Sequence, residues 1–140
     1  MTTFVVDASV GAKWWFPEPH REAALRLRDP EHDLHAPDLF DLELCSVICK
    51  RILRGEISAQ DGDHVADLLE SVPVRRYADR DLLRPALAIA RTTRQSLYDS
   101  LYLALAVILD APMVTADQRF YRAVRSAGAG EHVVWVGDVP

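Results

Sequence analysis

Short apolar runs alternate along the chain with longer amphipathic stretches. The short runs favour β-branched residues and are too brief for helices, so they predict strands. The predicted strands are Phe4–Val6, Leu34–Ala36, Val72–Arg76, Met113–Thr115 and Val133–Val136. The first run is apolar without interruption, which is typical of a strand covered on both faces. This alternation predicts an α/β fold, with helices packed around a central, mainly parallel sheet.

The intervening stretches carry signals for the start and end of helices. Ser9 and Ser58 precede helical patterns as caps, and Gly55 follows the longest of them. The predicted helices are Val10–Phe16, His20–Arg28, Asp38–Arg54, Ser58–Ser71, Asp81–Thr92, Leu97–Leu109 and Gln118–Ser126. The 140 residues contain no repeat, linker or low-complexity segment, so we expect one domain spanning residues 1–140.

Two acidic residues follow predicted strands directly. Asp7 ends the first strand, and Asp117 stands just after Met113–Thr115. The carboxyl ends of strands are where open α/β sheets gather their ligands. Either residue could instead cap the helix that follows it. In a parallel sheet the two carboxylates would lie at the same edge.

Two further acidic residues interrupt apolar helix faces. Glu43 has mostly apolar neighbours one helical turn away, and Asp99 is the only acid between Gln95 and Leu109. Burying an unpaired carboxylate costs several kcal/mol, roughly, even after relaxation. Glu43 could avoid that cost at the rim of the core or in a long-range salt bridge. Asp99 could form a capping box with Ser96.

The four acids make more chemical sense together than singly. Two ionised carboxylates at 4 Å repel by roughly 4 kcal/mol at an effective dielectric constant of 20, and a divalent cation would remove that conflict. Carboxylate oxygens without a Cys or His cluster favour Mg²⁺ or Mn²⁺ over Zn²⁺. Ser9 and Thr115 stand two residues from acids and could hydrogen-bond to the ligands. Such a centre suits in-line hydrolysis of a phosphodiester by activated water.

The net charge bears on the partner that we expect. The formal charge of −5 argues at first against a nucleic acid, but two bound divalent cations would offset most of it. Nearly all the basic residues are Arg, a side chain that suits phosphate, although a coding bias would give the same composition. Arg75, Arg76, Arg80 and Arg84 form the densest basic stretch, either a solvated face or an RNA track.

Other features bear on compartment and partners. Cys45 and Cys49 lack a second pair of zinc ligands, so we expect two buried, reduced thiols and a cytoplasmic location. No apolar run reaches the ~20 residues of a membrane span, and the first residues lack the basic stretch of a secretory signal. Trp14-Trp15-Phe16 could pack in the core, stack on bases or receive a partner helix. We expect His32 and His35 on the surface, in a loop.

The chain resembles the PIN-domain nucleases and, among them, the VapC-type toxins of bacterial toxin–antitoxin pairs. Four segments carry the resemblance: Val5–Ser9, Pro37 followed by Glu43 in a long helix, Tyr98–Ala106, and Val114–Phe120. They occur in order over essentially the whole chain. The resemblance departs at the Asn usually found shortly after the helical Glu, where Ser46 and Cys49 stand nearby.

The resemblance implies an α/β/α sandwich in which Asp7, Glu43, Asp99 and Asp117 bind one or two Mg²⁺ or Mn²⁺ ions. It also implies RNA cleavage, a homodimer, and a VapB-like antitoxin that blocks the acidic centre and provides any contact with DNA. The expected function is therefore a metal-dependent endoribonuclease toxin. The alternative is a non-catalytic RNA-binding module that retains the acidic pocket.

Other sites that use strand ends fit poorly. A phosphoacceptor receiver domain needs paired acids after its first strand and a late Lys, whereas no Lys follows Lys50. A haloacid-dehalogenase-like phosphatase needs a second Asp where Ser9 stands. A P-loop or Rossmann site needs a glycine-rich loop that the sequence lacks.

Overall fold

Five strands form one parallel sheet in the computed structural model, which describes all residues from Met1 to Pro140. The strands are β1 Thr2–Val6, β2 His32–Pro37, β3 Val74–Tyr77, β4 Met113–Thr115 and β5 Val133–Trp135. Their order across the sheet is β3-β2-β1-β4-β5, and every neighbouring pair is parallel. Phe4, Val5 and Val6 of the central strand are all buried. Because successive side chains point to opposite faces, both faces of the sheet are covered. The predicted α/β class is confirmed.

Seven helices pack around this sheet. They are α1 Ala8–Gly11, α2 Arg21–Arg26, α3 Leu39–Leu53, α4 Ala59–Leu69, α5 Leu83–Thr93, α6 Leu97–Leu109 and α7 Gln118–Ser126. Helix α6 lies on β1, β2 and β4 with α5 beside it, whereas α3 contacts β2 and α1. No helix has the combination of length and apolar character that crossing a bilayer requires.

The first helix differs from its prediction. It starts at Ala8, directly after Asp7, and gives way at Ala12 to a 3₁₀ turn instead of continuing to Phe16. Ser9 is therefore not its cap. The Ser9 hydroxyl contacts the side chain of Asp7 and the backbone N–H of Ala116 instead. The Ser9 hydroxyl, which the sequence predicted to cap the helix, is therefore used in a contact with a residue distant in the sequence.

The aromatic run after α1 belongs mainly to the core. Trp14 and Phe16 are buried, and Trp15 packs partly buried against the same core. The indole N–H of Trp14 donates to the carbonyl of Ala24 at 2.8 Å. Of the three interpretations, core packing is the one that the structure supports for Trp14 and Phe16.

The two histidines do not lie in a surface loop as predicted. Both belong to β2, and His35 is only 6% exposed. Its ring nitrogens lie 2.8 Å from the Tyr77 hydroxyl and 2.8 Å from Oδ2 of Asp33. His35 lies inside the predicted strand Leu34–Ala36, so placing it in a loop conflicted with that prediction, whereas His32 lies in the two residues by which the strand extends further at its start.

The two cysteines are unpaired, as predicted, but both are exposed, so the predicted burial is wrong. The buried face of α3 carries Leu44 and Ile48. Cys45 and Cys49 each follow one of these residues by one position, which places them about 100° around the helix. Their four-residue spacing puts both cysteines on one face of α3, and that face points away from the core.

The basic stretch divides into different roles. The Arg76 guanidinium forms two hydrogen bonds to Asp41, at 2.9 and 3.2 Å, and also donates to the carbonyls of Leu69, Val72 and Val74. Neighbouring Arg75 is exposed. Arg76 therefore holds the start of β3 to α3 and α4, and is not available as part of a continuous RNA track.

Candidate active site

The sheet reverses its order of connection between β1 and β4. From β1 the chain adds β2 and β3 on one side, and β4 and β5 then extend the sheet on the other. At such a switch point the loops that leave neighbouring strands diverge, and a crevice opens at their carboxyl ends. Asp7 follows β1 there, and Asp117 follows β4.

One cleft at this position contains all four predicted acids. It has a volume of about 260 Å³ and is lined by Asp7, Ala8, Ser9, Glu43, Ser46, Val47, Lys50, Asp99 and Asp117. Helix α3 supplies Glu43 and α6 supplies Asp99. The sequence prediction that these carboxylates share one place is therefore matched by their position.

Asp7 is held by two hydroxyl groups. Ser9 Oγ donates to Oδ2 of Asp7 at 2.5 Å, and Thr115 Oγ1 donates to the same oxygen at 3.0 Å. The two hydroxyls in turn accept the backbone N–H groups of Ala116 and Asp117. Asp7 makes no side-chain cap to α1, so the capping alternative fails for this residue. Its Oδ1 carries no hydrogen bond and remains available to a ligand in the cleft.

Glu43 lies at the rim of the core, facing the cleft, and forms no salt bridge. Its side chain is half-buried, and its Oε1 accepts a hydrogen bond from the hydroxyl of Tyr102 at 2.6 Å. Tyr102 is completely buried, and its surroundings raise its pKa far above the usual range, chiefly by burial. The phenol therefore stays neutral and acts as a fixed donor to Glu43.

Asp99 and Asp117 each combine a capping role with a place in the cleft. The hydroxyl of Ser96 accepts the backbone N–H of Asp99 and so caps α6, as predicted. The reciprocal bond of a capping box is absent, because it is the Ser96 hydroxyl and not its backbone N–H that donates to the Asp99 carboxylate, at 2.9 Å. Oδ1 of Asp117 accepts the N–H of Phe120 at 3.0 Å and caps α7. The structural and functional interpretations of these two residues are therefore compatible.

The carboxylates disfavour one another's charge. Burial, opposed by the Ser9 hydrogen bond and reinforced by the charges of Asp99 and Glu43, raises the pKa of Asp7 to about 7. Burial likewise raises the pKa of Glu43, against the Tyr102 hydrogen bond and with the charge of Asp99 adding to the shift. The pKa of Asp99 is also raised, mainly by burial. A cation placed among these groups would reverse each of these shifts.

The donors in the cleft suit a hard cation. The lining offers carboxylate and hydroxyl oxygens and no Cys or His. Nowhere in the structure do three His, Cys, Asp or Glu side chains cluster closely enough to enclose a metal ion by themselves. Mg²⁺ commonly takes one or two carboxylates directly and keeps several waters. The arrangement fits such an ion, and it does not fit a closed cage like a structural zinc site.

The sequence analysis did not identify one basic residue of the cleft. Lys50 lies on α3 seven residues after Glu43, or about two turns along the same face. Ser46, one turn after Glu43, also lines the cleft, whereas Cys49 does not. Both residues could have been predicted from the sequence, because positions i+3 and i+7 from Glu43 lie on the same face of a helix.

Comparison with known proteins decides the family. Residues 4–125 match the PIN domain. The chain belongs to the PIN-domain family. It is 34% identical over 125 residues to Ribonuclease VapC3 of Mycobacterium tuberculosis, an alignment that covers 89% of this chain and 90% of the relative. It is also 34% identical over 116 residues to Ribonuclease VapC12 of the same species, covering 82% and 87%.

Similar solved structures agree with this fold. One is a toxin–antitoxin complex from Klebsiella pneumoniae, with a TM-score of 0.66 and 13% identity over 96% of both chains. Another is FitAcB from Neisseria gonorrhoeae, with a TM-score of 0.64 and 16% identity over 96% of this chain and 99% of that one. With its VapC relatives, this PIN-domain chain belongs to the VapC group, as the resemblance implied.

Proposed function

We propose that this PIN-domain protein is a metal-dependent endoribonuclease, the toxin of a type II toxin–antitoxin system. The observation that carries the proposal is the convergence of Asp7, Glu43, Asp99 and Asp117 in one cleft where burial and mutual repulsion raise carboxylate pKa values. The names of the VapC relatives support ribonuclease activity, and the toxin–antitoxin complex of similar fold supports an antitoxin partner.

The four carboxylates are the groups proposed to hold Mg²⁺ or Mn²⁺, each either directly or through a water of the ion. When bound, such an ion activates a water molecule and neutralises charge on the phosphate. The protein's own groups orient the ligands. Ser9 and Thr115 fix one oxygen of Asp7, and Tyr102 fixes one oxygen of Glu43.

The test is cleavage of a mixed cellular RNA pool by the purified protein, freed of any antitoxin. We expect discrete products with Mg²⁺ or Mn²⁺ and none with EDTA. The double variant Asp7→Asn/Asp99→Asn should lose cleavage. The matched control Asp63→Asn/Asp67→Asn removes two exposed acids of α4 and should keep it. Metal-independent cleavage, or full cleavage by the Asp7/Asp99 variant, would exclude the mechanism.

A folded wild-type protein that binds RNA but never cleaves it would favour the alternative, a non-catalytic RNA-binding module. Metal binding is measurable separately, by titrating Mn²⁺ into the wild type and into the Asp7/Asp99 variant. Loss of Mn²⁺ binding in the variant alone would support the ligand assignment whatever the outcome with RNA.

The proposed assembly is a homodimer bound by a VapB-like antitoxin, in the cytoplasm. Exposed apolar side chains on α5 and α6 are candidates for a contact surface: Leu83, Leu87, Val107 and Ile108. The unpaired cysteines agree with a reducing compartment. Light scattering over a range of protein concentrations tests the dimer, and a constant monomer mass would contradict it. We propose DNA contact only through the antitoxin.

A further inference from the structure

A second cavity adjoins the acidic cleft along α3. It has a volume of about 410 Å³ and shares Val47 and Lys50 with the acidic cleft. Its remaining lining is charged and comes from Glu18, Arg51, Arg54 and Glu56. The two cavities therefore meet at Lys50, with carboxylates on one side and mainly basic groups on the other.

The acids of the second cavity are already paired. The guanidinium of Arg51 donates to Glu18 at 2.7 Å and to Glu56 at 3.2 Å. The other carboxylate oxygen of Glu18 accepts from Lys13 at 3.3 Å. Arg51 also stacks over the ring of Phe16, with its Cζ 4.3 Å from the ring centroid. This network is self-contained, because each carboxylate already has a cationic partner.

Lys50 and Arg54 are the two cationic side chains of the second cavity that have no acidic partner. Both side chains are exposed, and neither forms a salt bridge. Along the helix axis Lys50 lies about 10 Å beyond Glu43, and Arg54 lies about 6 Å further. Glu43 and Lys50 lie on one face of α3, and Arg54, directly after its last residue, continues that line four positions further. They form a line that leads from the acidic centre into the second cavity.

We propose that this second cavity is a phosphate-binding subsite for single-stranded RNA, in which Lys50 and Arg54 contact backbone phosphates to one side of the bond cleaved at the acidic centre. The proposal rests on the proposed ribonuclease function for the position of that bond. A polyanion entering an acidic cleft needs compensating cations, and a basic groove that tracks the backbone is how proteins hold single strands.

A purely structural role for the two side chains is the competing explanation. Lys50 and Arg54 stand at the C-terminal end of α3, where cations interact favourably with the helix dipole. Such a role would appear in the stability of the fold and would leave RNA affinity unchanged. Binding measurements and their dependence on salt therefore separate the two roles.

The experiment measures binding of a fluorescein-labelled random 20-nucleotide RNA pool in EDTA, which prevents metal-dependent cleavage. The variants are Lys50→Gln/Arg54→Gln and the charge-preserving Lys50→Arg/Arg54→Lys. The control is Arg122→Gln, which removes an exposed charge of α7 that lines neither cavity. Urea unfolding of each variant shows whether stability has changed.

Each phosphate contact with a single strand contributes about 0.7 to the slope of log K against log salt, or about fourfold in affinity at 0.15 M salt. The Lys50→Gln/Arg54→Gln variant should therefore bind about 15-fold more weakly, with a slope smaller by about 1.4. The charge-preserving variant and Arg122→Gln should both bind within about twofold of the wild type. With Mg²⁺, the neutral variant should also raise KM.

The proposal would be overturned if the Lys50→Gln/Arg54→Gln variant had the same RNA affinity and salt slope as Arg122→Gln. A decaglutamate peptide serves as a second probe. If the Lys50→Gln/Arg54→Gln variant binds RNA like the wild type but no longer binds this peptide, the proposal is also overturned, and the cavity is assigned to an acidic protein segment. The predicted loss of RNA binding, in a protein that cleaves no RNA with either metal, would support the subsite while refuting the ribonuclease function.

Discussion

Replacing Asp7 with Asn should stabilise the metal-free protein from about pH 5 upwards, and most at alkaline pH. Asp7 is 4% exposed, and its Oδ2 accepts both the Ser9 and the Thr115 hydroxyl. The amide oxygen of Asn can accept the same two hydrogen bonds. The substitution therefore removes a buried charge while keeping the size of the side chain and its hydrogen-bond acceptor.

The pKa of Asp7 determines how much stability the substitution should add. It is raised from the reference value of 3.8 to about 7, so the folded protein holds this proton more tightly than the unfolded chain. The stabilisation by the proton is complete below pH 3.8, declines as the pH rises towards 7, and is lost above it. The difference between the two pKa values converts to a loss of unfolding free energy caused by the ionised Asp7. That loss is at most about 4 kcal/mol at pH 8 and about 2 kcal/mol at pH 5.

Urea unfolding in EDTA at pH 8 and pH 5 tests this expectation. Asp7→Asn should be more stable than the wild type at both pH values, and by roughly twice as much at pH 8. The control Asp67→Asn removes an exposed acid of α4 and should change stability by less than about 0.5 kcal/mol. An Asp7→Asn protein no more stable than the wild type at pH 8 would refute the inference that Asp7 is a strained, charged group.

Mg²⁺ should narrow the difference in stability between Asp7→Asn and the wild type. If the carboxylates bind Mg²⁺ as proposed, the wild type gains about 2.7 kcal/mol of unfolding free energy at a hundredfold excess of Mg²⁺ over its Kd. The Asn variant lacks one charged ligand and should gain less. Equal gains in both proteins would leave Asp7 as a destabilising acid without a role in metal binding.

Local signals predicted most of the architecture. The bounds of α6, β4 and α7 match their predictions, because strong apolar periodicity and capping residues mark them in the sequence. The Ser58 and Ser96 caps are also present, since each needs only residues three positions away. The sheet and its acidic edge followed from the alternation of these elements.

Contacts between residues far apart in the sequence could not be predicted from these local patterns. The Tyr102 hydroxyl meets Glu43 across 59 positions, and Ser9 meets the N–H of Ala116 across 107. A periodic pattern shows that Glu43 interrupts an apolar face, but it does not show which donor satisfies the carboxylate. The same limit explains Ser9, whose local preference for a helix cap was overridden by a partner from another loop.

Tyr102→Phe tests a supporting contact of the site, and Arg76→Ala tests one of the fold. Tyr102→Phe leaves half-buried Glu43 without its donor, so it should cost about 1–3 kcal/mol of stability and raise the pKa of Glu43 further. It should also increase the Mg²⁺ concentration needed for cleavage, and an unchanged requirement would mean that the phenol does not position Glu43. Arg76→Ala removes two hydrogen bonds to Asp41 and three to backbone carbonyls, and should cost at least about 2 kcal/mol in urea unfolding. Arg75→Ala, at the exposed neighbouring position, should cost less than about 0.5 kcal/mol, and equal losses from the two arginines would contradict the structural role given to Arg76.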